Sequence, residues 1–179
     1  MINIFCLLVG NKHTIQEVEA LYSSVKENIT GEFRFICLTD RPALFKSEGI
    51  TFEQSPITTP NKWCKLALFV PKIAQKYEGT ALYMDLDSKV VGNLDNLLKN
   101  KNDKLNLLDN FKSNVLIWKL GKFTKLYSRF KISDMKRLSG LSDLIKEQMQ
   151  DVETKVINRL LVKKAELKIN PLTAIHYDV

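Results

Sequence analysis

Residues 82–95 read Leu-Tyr-Met-Asp-Leu-Asp-Ser-Lys-Val-Val-Gly-Asn-Leu-Asp. An apolar run, Thr80 to Met84, delivers two carboxylates, Asp85 and Asp87, two positions apart. A short apolar pair, Val90–Val91, and turn residues Gly92–Asn93 follow. Carboxylates are depleted inside strands and seldom buried, so a pair at the end of an apolar strand needs a reason. Residues i and i+2 of an extended segment point the same way. Both side chains are therefore expected to grip one hard cation and to leave coordination positions open for phosphate. That is the chemistry of a metal-assisted transfer from a nucleotide-activated donor; the plain alternative is a pair of solvated aspartates in a turn.

The surroundings of this motif fit a layered fold. Ile2–Val9 is a continuous apolar run, as a central strand buried on both faces requires. Thr14 to Asn28 carries Ile15, Val18, Leu21, Tyr22 and Val25 at helical spacing, with Thr14 and Glu17 as a capping box. Phe33–Leu38 and Ile50–Glu53 read as strands, and Ser55–Pro60 as a loop. A helix is expected from Asn61 to Tyr77, broken or kinked at Pro71. Leu94–Leu98 reads as a short helix, Leu105–Leu108 and Val115–Trp118 as strands, and Gly121 as a turn. Phe123–Phe130 and Leu141–Lys164 read as helices, and Leu167–Ile169 as a last strand. Strands alternating with helices predict an α/β sandwich with a largely parallel sheet, whose ligands bind beyond the carboxyl ends of the strands. Gly10, Asp40 and Asp85 each lie at such an end.

Composition narrows the class. The chain has 179 residues, enough for one well-buried domain. No run approaches the roughly 20 apolar residues of a membrane span. Met1–Val9 lacks the basic start and small-residue cleavage site of a secretion signal and reads as the first strand. Cys6 and Cys37 lie in strand-like runs and Cys64 in the helix, with no paired close spacing, which predicts reduced thiols and a cytoplasmic setting. The net charge of +7 is uneven: residues 1–90 carry ten residues of each sign, and the remaining 17 basic and 10 acidic residues follow. The excess is densest from Lys112 to Arg137, with only Asp134 opposing. An anionic partner, including a membrane surface touched peripherally, is one reading; an ordinary solvated face is the other. No zinc spacing, glycine-rich phosphate loop, nucleophile–base pair or nucleic-acid motif is present, so no specific nucleic acid is expected.

Several segments together carry a resemblance. They are Trp63-Cys64-Lys65-Leu66-Ala67-Leu68-Phe69 upstream, Leu82 to Leu97, Gly10-Asn11-Lys12-His13, Phe35-Ile36-Cys37-Leu38-Thr39-Asp40 and Lys112 to Trp118. In that order they resemble the Lys-Leu helix, the Asp-x-Asp segment, the opening loop, the second strand and a later strand of GT-A fold glycosyltransferases of the glycogenin and bacterial galactosyltransferase type. The likeness covers about residues 2–130 and implies a single GT-A, Rossmann-like α/β/α domain over residues 1–179. A nucleotide-sugar half would span about residues 1–95 and an acceptor half about 96–179.

The resemblance also implies roles. Asp85 matches the aspartate that touches both metal and donor ribose, and Asp87 a direct ligand of Mn²⁺ or Mg²⁺. His176 matches the third metal ligand. Lys65 matches the helix lysine that reaches the donor, with a surface lysine as its alternative. Leu8, Val9, Gly10 and Asp40 fall where the nucleoside is held, although Asp40 equally suits a turn cap before Pro42. His13 reads as a helix-start residue or a contact on the nucleotide side. Two departures stand out. The family's Gly-x-x-Lys after the histidine is missing from His176-Tyr177-Asp178-Val179. Its Gly-Asp-Gln is also missing, leaving Asp151 or Glu153 in the aspartate's place. The implied activity is transfer of a hexose or N-acetylhexosamine from a nucleoside-diphosphate sugar to an acceptor hydroxyl on a glycan, lipid-linked or protein acceptor, with retention. The departures keep open a degenerate nucleotide-sugar or glycan-binding module. A basic protein binding an anionic polymer or membrane is the third class.

Overall fold

The computed structural model describes residues 1–98, 105–107, 114–150, 157–159 and 170–171. The first apolar run is strand β1 (Ile2–Leu8), followed by helix α1 (Ile15–Lys26), β2 (Phe33–Thr39) and β3 (Ile50–Gln54). β1 sends Ile4, Cys6 and Leu8 to one core and Phe5 and Leu7 to the other, so both of its faces are dry. That is why its sequence is continuously apolar rather than alternating. α1 begins where the Glu17 carboxylate accepts the Thr14 N–H at 2.6 Å, as the capping box predicts, and buries Val18, Leu21 and Val25. Each fully buried aliphatic side chain of this kind contributes roughly 1.5–3 kcal/mol.

The helix expected from Asn61 to Tyr77 is two helices of different winding. Lys62–Phe69 is a 3₁₀ helix and Pro71–Lys76 is α2. Val70 between them is extended, at φ −68 and ψ 132, because a residue before proline is driven out of the helical region. The 3₁₀ winding places residues three apart in line, and Trp63, Leu66 and Phe69, all buried, form that line. The repeat of three was visible in the chain, and the expectation of an α-helix was wrong in its period.

β4 (Thr80–Met84) enters the acidic motif, and β5 (Ser88–Lys89) leaves it, two residues earlier than Val90–Val91. α3 (Asp95–Leu98), β6 (Leu105–Leu107), β7 (Val115–Lys119) and α4 (Lys125–Ser128) follow. α5 (Ile132–Arg137) was not expected, since its first residue, Ile132, is 79% exposed and supplies no apolar stripe. α6 (Leu141–Gln150) is the first part of the helix expected to reach Lys164. Residues 157–159 of that stretch are instead β8 (Ile157–Arg159), parallel to β6. The outer edge of β6 needs partners for its backbone groups, and extended residues meet that need where a helix does not. β9 (Asn170–Pro171) pairs with β5, while Leu167–Ile169, expected as a strand, lies outside the described residues.

The main sheet runs β3-β2-β1-β4-β7-β6-β8. Every neighbouring pair is parallel except the two made by β7, which runs against both β4 and β6. One face carries the 3₁₀ helix, α2, α4 and α6 over Phe5, Tyr83, Leu116 and Trp118. The other carries α1 and α3 over Ile4, Leu82 and Ile117. This is the α/β/α sandwich with a mostly parallel mixed sheet that the sequence predicts. The chain moves outward from β1 to β2 and β3, then crosses back to place β4 on the other side of β1. The carboxyl ends of β1 and β4 therefore flank a topological switch point, where open α/β sheets bind ligands.

Candidate active site at the carboxyl edge of the sheet

Tyr83 and Asp85 lie two residues apart at the end of β4, so they project to the same face, the one covered by the 3₁₀ helix. The Tyr83 hydroxyl donates to Asp85 Oδ1. From the helix above, the Lys65 ammonium lies 2.8 Å from both carboxylate oxygens of Asp85. It also sits 5.4 Å from the centre of the Tyr83 ring. The Lys65 and Asp85 side chains are 17% and 25% exposed, so the pair is shielded yet open on one side. Burial first, then the charge and hydrogen bond of Asp85, push the Tyr83 phenol well above its ordinary value and keep it neutral as a donor. Lys65, proposed from the sequence alone, thus joins Asp85, and Tyr83 joins them although sequence reasoning had passed over it.

Asp85 is anchored as well as partnered, since its N–H donates to the Asn114 carbonyl at 2.9 Å. Asp87 does not continue the strand. The Ser88 N–H returns to the Asp85 carbonyl at 3.1 Å, closing a tight turn with Leu86 and Asp87 at its corner. Leu86 is buried at 3% exposure and Asp87 faces solvent. The two carboxylates are therefore related by a turn, and the i, i+2 alternation of an extended segment is not the geometry here. α1 and the residues just after it hold the exit of this turn: the Val90 N–H donates to Ser24 Oγ at 3.2 Å and the Leu94 N–H to the Asn28 carbonyl at 2.8 Å.

A second cluster lies across β1. Gly10 adopts φ +74, open to glycine without strain, and a β-carbon built there would overlap the Cβ of Pro60. Its N–H donates to Asp40 Oδ2 at 3.1 Å. Arg41 ties the corner together, donating to the Gly10 carbonyl at 2.6 Å, Asn11 Oδ1 at 3.1 Å and Asp40 Oδ1 at 3.3 Å. Asp40 thus braces the loop after β1 rather than merely capping its own turn. No sequence pattern singled out Arg41, because its partners Asn11 and Gly10 are 30 and 31 residues away. Val9 is half-buried, while Leu8 is 1% exposed, leaving only its backbone to face a ligand.

The other candidates divide cleanly. His13 sits on Glu17, Nδ1 to Oε1 at 3.1 Å, as a helix-start residue. Burial raises the Cys64 thiol, and Asp85 raises it further against the opposing Lys65, so Cys64 is no poised thiolate. Asp151, Glu153 and His176 lie outside the described residues, as does Lys112. Among the described residues no group of three or more His, Cys, Asp or Glu converges as a metal site.

No protein-family model matches this chain, and no curated protein matches its sequence. Solved structures do match in fold. A crystal structure of the glycosyltransferase GlyE of Streptococcus pneumoniae TIGR4 superposes with a TM-score of 0.60 at 14% identity. It covers 88% of this chain and 45% of that one. The apo form of GlyE gives a TM-score of 0.58 at 16% identity, covering 84% and 43%. The chain spans less than half the length of these structures, and it has the GT-A fold.

Proposed function

We propose that this chain is a metal-dependent glycosyltransferase, or the nucleotide-sugar-binding part of one. It would move a hexose or N-acetylhexosamine from a nucleoside-diphosphate sugar to an acceptor hydroxyl of a glycan, lipid-linked or protein acceptor, with retention. The observation that carries the reading is the Asp85 carboxylate, held between Lys65 and Tyr83 at the switch point of the sheet. The donor set suits a hard divalent cation, since Asp85 and Asp87 offer carboxylate oxygens, and a cation there has to share or displace the Lys65 ammonium 2.8 Å from Asp85. Asp85 and Asp87 would hold Mn²⁺ or Mg²⁺, with His176 as the third ligand implied by the resemblance. A cation there offsets the charge that develops on a departing nucleoside diphosphate.

The chain's own residues do the rest. Tyr83 fixes the orientation of Asp85 through a neutral hydroxyl. Lys65 brings an ammonium to the donor's diphosphate side, a point charge on a stem that can swing from carboxylate to phosphate. The braced loop of Gly10, Asp40 and Arg41, with the backbone of Leu8 and Val9, offers the nucleoside pocket. Asp151 or Glu153 would take the place of the family's carboxylate that contacts the acceptor and the reacting sugar.

A second reading, a binding module without turnover, is favoured by one contact: both Asp85 oxygens already carry partners that a cation has to share or displace. Incubation with UDP- and GDP-sugars and Mn²⁺, measuring released nucleoside diphosphate, separates the two. Release that disappears in Asp87→Ala supports transfer. Release retained by that variant removes the metal assignment, and Mn²⁺-dependent nucleotide binding without release moves the chain to the second reading.

A further inference from the structure

We propose that the segment from Lys119 to Arg137 is a docking surface for anionic lipid bilayers. The proposal is independent of the donor site. The segment is a platform, not a tail. Leu126 is buried, Phe123, Phe130 and Met135 pack against the core, and the rings of Phe130 and Trp63 are 4.8 Å apart. α4 closes on the turn at Phe123, where the Leu126 N–H meets the Phe123 carbonyl at 2.9 Å.

What the platform turns outward has a distinct composition. Lys119, Lys122, Lys125, Arg129, Lys131 and Lys136 are all exposed. The one acid of the segment, Asp134, is drawn inward, accepting the Lys131 N–H at 2.8 Å and pairing with Arg137 at 2.9 Å. Arg137 also pairs with Glu147. Six cations therefore face solvent, and the one acid of the segment is held inward by Arg137. Among them stand Ile132, 79% exposed, and Tyr127, 39% exposed. Ile132 is the most exposed large hydrophobic side chain among the described residues, and it opens α5 directly beside Lys131.

This mixture selects among anionic partners. A soluble polyanion gains from the cations and nothing from an aliphatic tip. A bilayer takes both: basic residues meet anionic headgroups, the phenol of Tyr127 suits the interface, and Ile132 enters the acyl boundary. Neither charge nor tip alone anchors a protein stably, and the two signals together do.

Sedimentation with vesicles of phosphatidylcholine, or of phosphatidylcholine mixed with phosphatidylglycerol, tests this on the full chain. The wild type is expected to pellet with the anionic vesicles only and to be released by salt. Lys125→Ala, Arg129→Ala and Lys136→Ala are each expected to lower partitioning about five-fold. Ile132→Ser is expected to lower it about ten-fold, and Lys46→Ala, remote in the chain, not at all. All five positions are exposed, and circular dichroism checks that each variant stays folded. Absent binding, equal binding to both vesicles, or undiminished binding of Ile132→Ser would overturn the proposal.

Discussion

Lys65→Met separates the two jobs assigned to one ammonium. Unit charges about 4 Å apart interact by about 4 kcal/mol at an effective dielectric of roughly 20. Lys65 and Asp85 are 17% and 25% exposed, so solvent screening discounts this to about 1–2 kcal/mol. Met keeps most of the apolar stem and removes the charge that competes with a cation for Asp85. Mn²⁺ affinity without nucleotide is expected to rise about ten-fold. UDP affinity at saturating Mn²⁺ is expected to fall about ten-fold, because a diphosphate loses an ammonium partner. The variant also leaves Asp85 with fewer partners in a half-buried site, a loss of about 1–2 kcal/mol in urea unfolding. Isothermal titration with Mn²⁺ alone, then with UDP at saturating Mn²⁺, reads both constants. Opposite signs support the reasoning. Mn²⁺ binding that weakens in Lys65→Met, or two constants that fall together, would refute it.

Two further predictions rest on other parts of the site. Gly10→Ala places a side chain at φ +74 against Pro60 and is expected to destabilise the fold by about 1–3 kcal/mol, read as a lower urea midpoint. UDP binding should weaken with it. Tyr83 is raised well above its ordinary value of 10.0 by burial and then by Asp85, and Tyr77 by burial and then by Glu53. A raised tyrosine holds its proton more tightly in the folded state, so its contribution is complete below pH 10.0 and is lost as pH climbs above that value. Tyrosinate absorbance should show Tyr77 and Tyr83 silent until the chain unfolds, and Tyr83→Phe should lessen the alkaline loss of stability. Ionisation of Tyr83 in the folded protein near pH 10.0 would contradict its contact with Asp85.

The sheet was legible because its strands are apolar on both faces. Ile2–Leu8, Phe33–Thr39 and Thr80–Met84 have no other stable resting place, and their parallel order follows from the helices and long connections between them. Departures arise where tertiary contacts outrank local pattern. The 3₁₀ winding of Lys62–Phe69 follows a repeat of three that a period of 3.6 partly mimics. Residues 157–159 pair with the edge of β6, although their own sequence suits a helix. At the site, Asp85 was legible as a carboxylate ending a strand, but the turn that places Asp87 at its corner was not. Tyr83 was findable, since period two puts it on the face of Asp85. Arg41 was not, because its partners come together only when β1 and β2 pair.

On the proposed reading, a divalent cation and a nucleoside diphosphate meet at Asp85 and Asp87. The most direct test is a crystal structure of the chain with Mn²⁺ and UDP, read by anomalous scattering. One strong anomalous peak beside the Asp85 and Asp87 carboxylates is expected, with the Lys65 ammonium moved from Asp85 onto phosphate. UDP bound with no peak there, or a peak held by other side chains while Lys65 stays on Asp85, would contradict it.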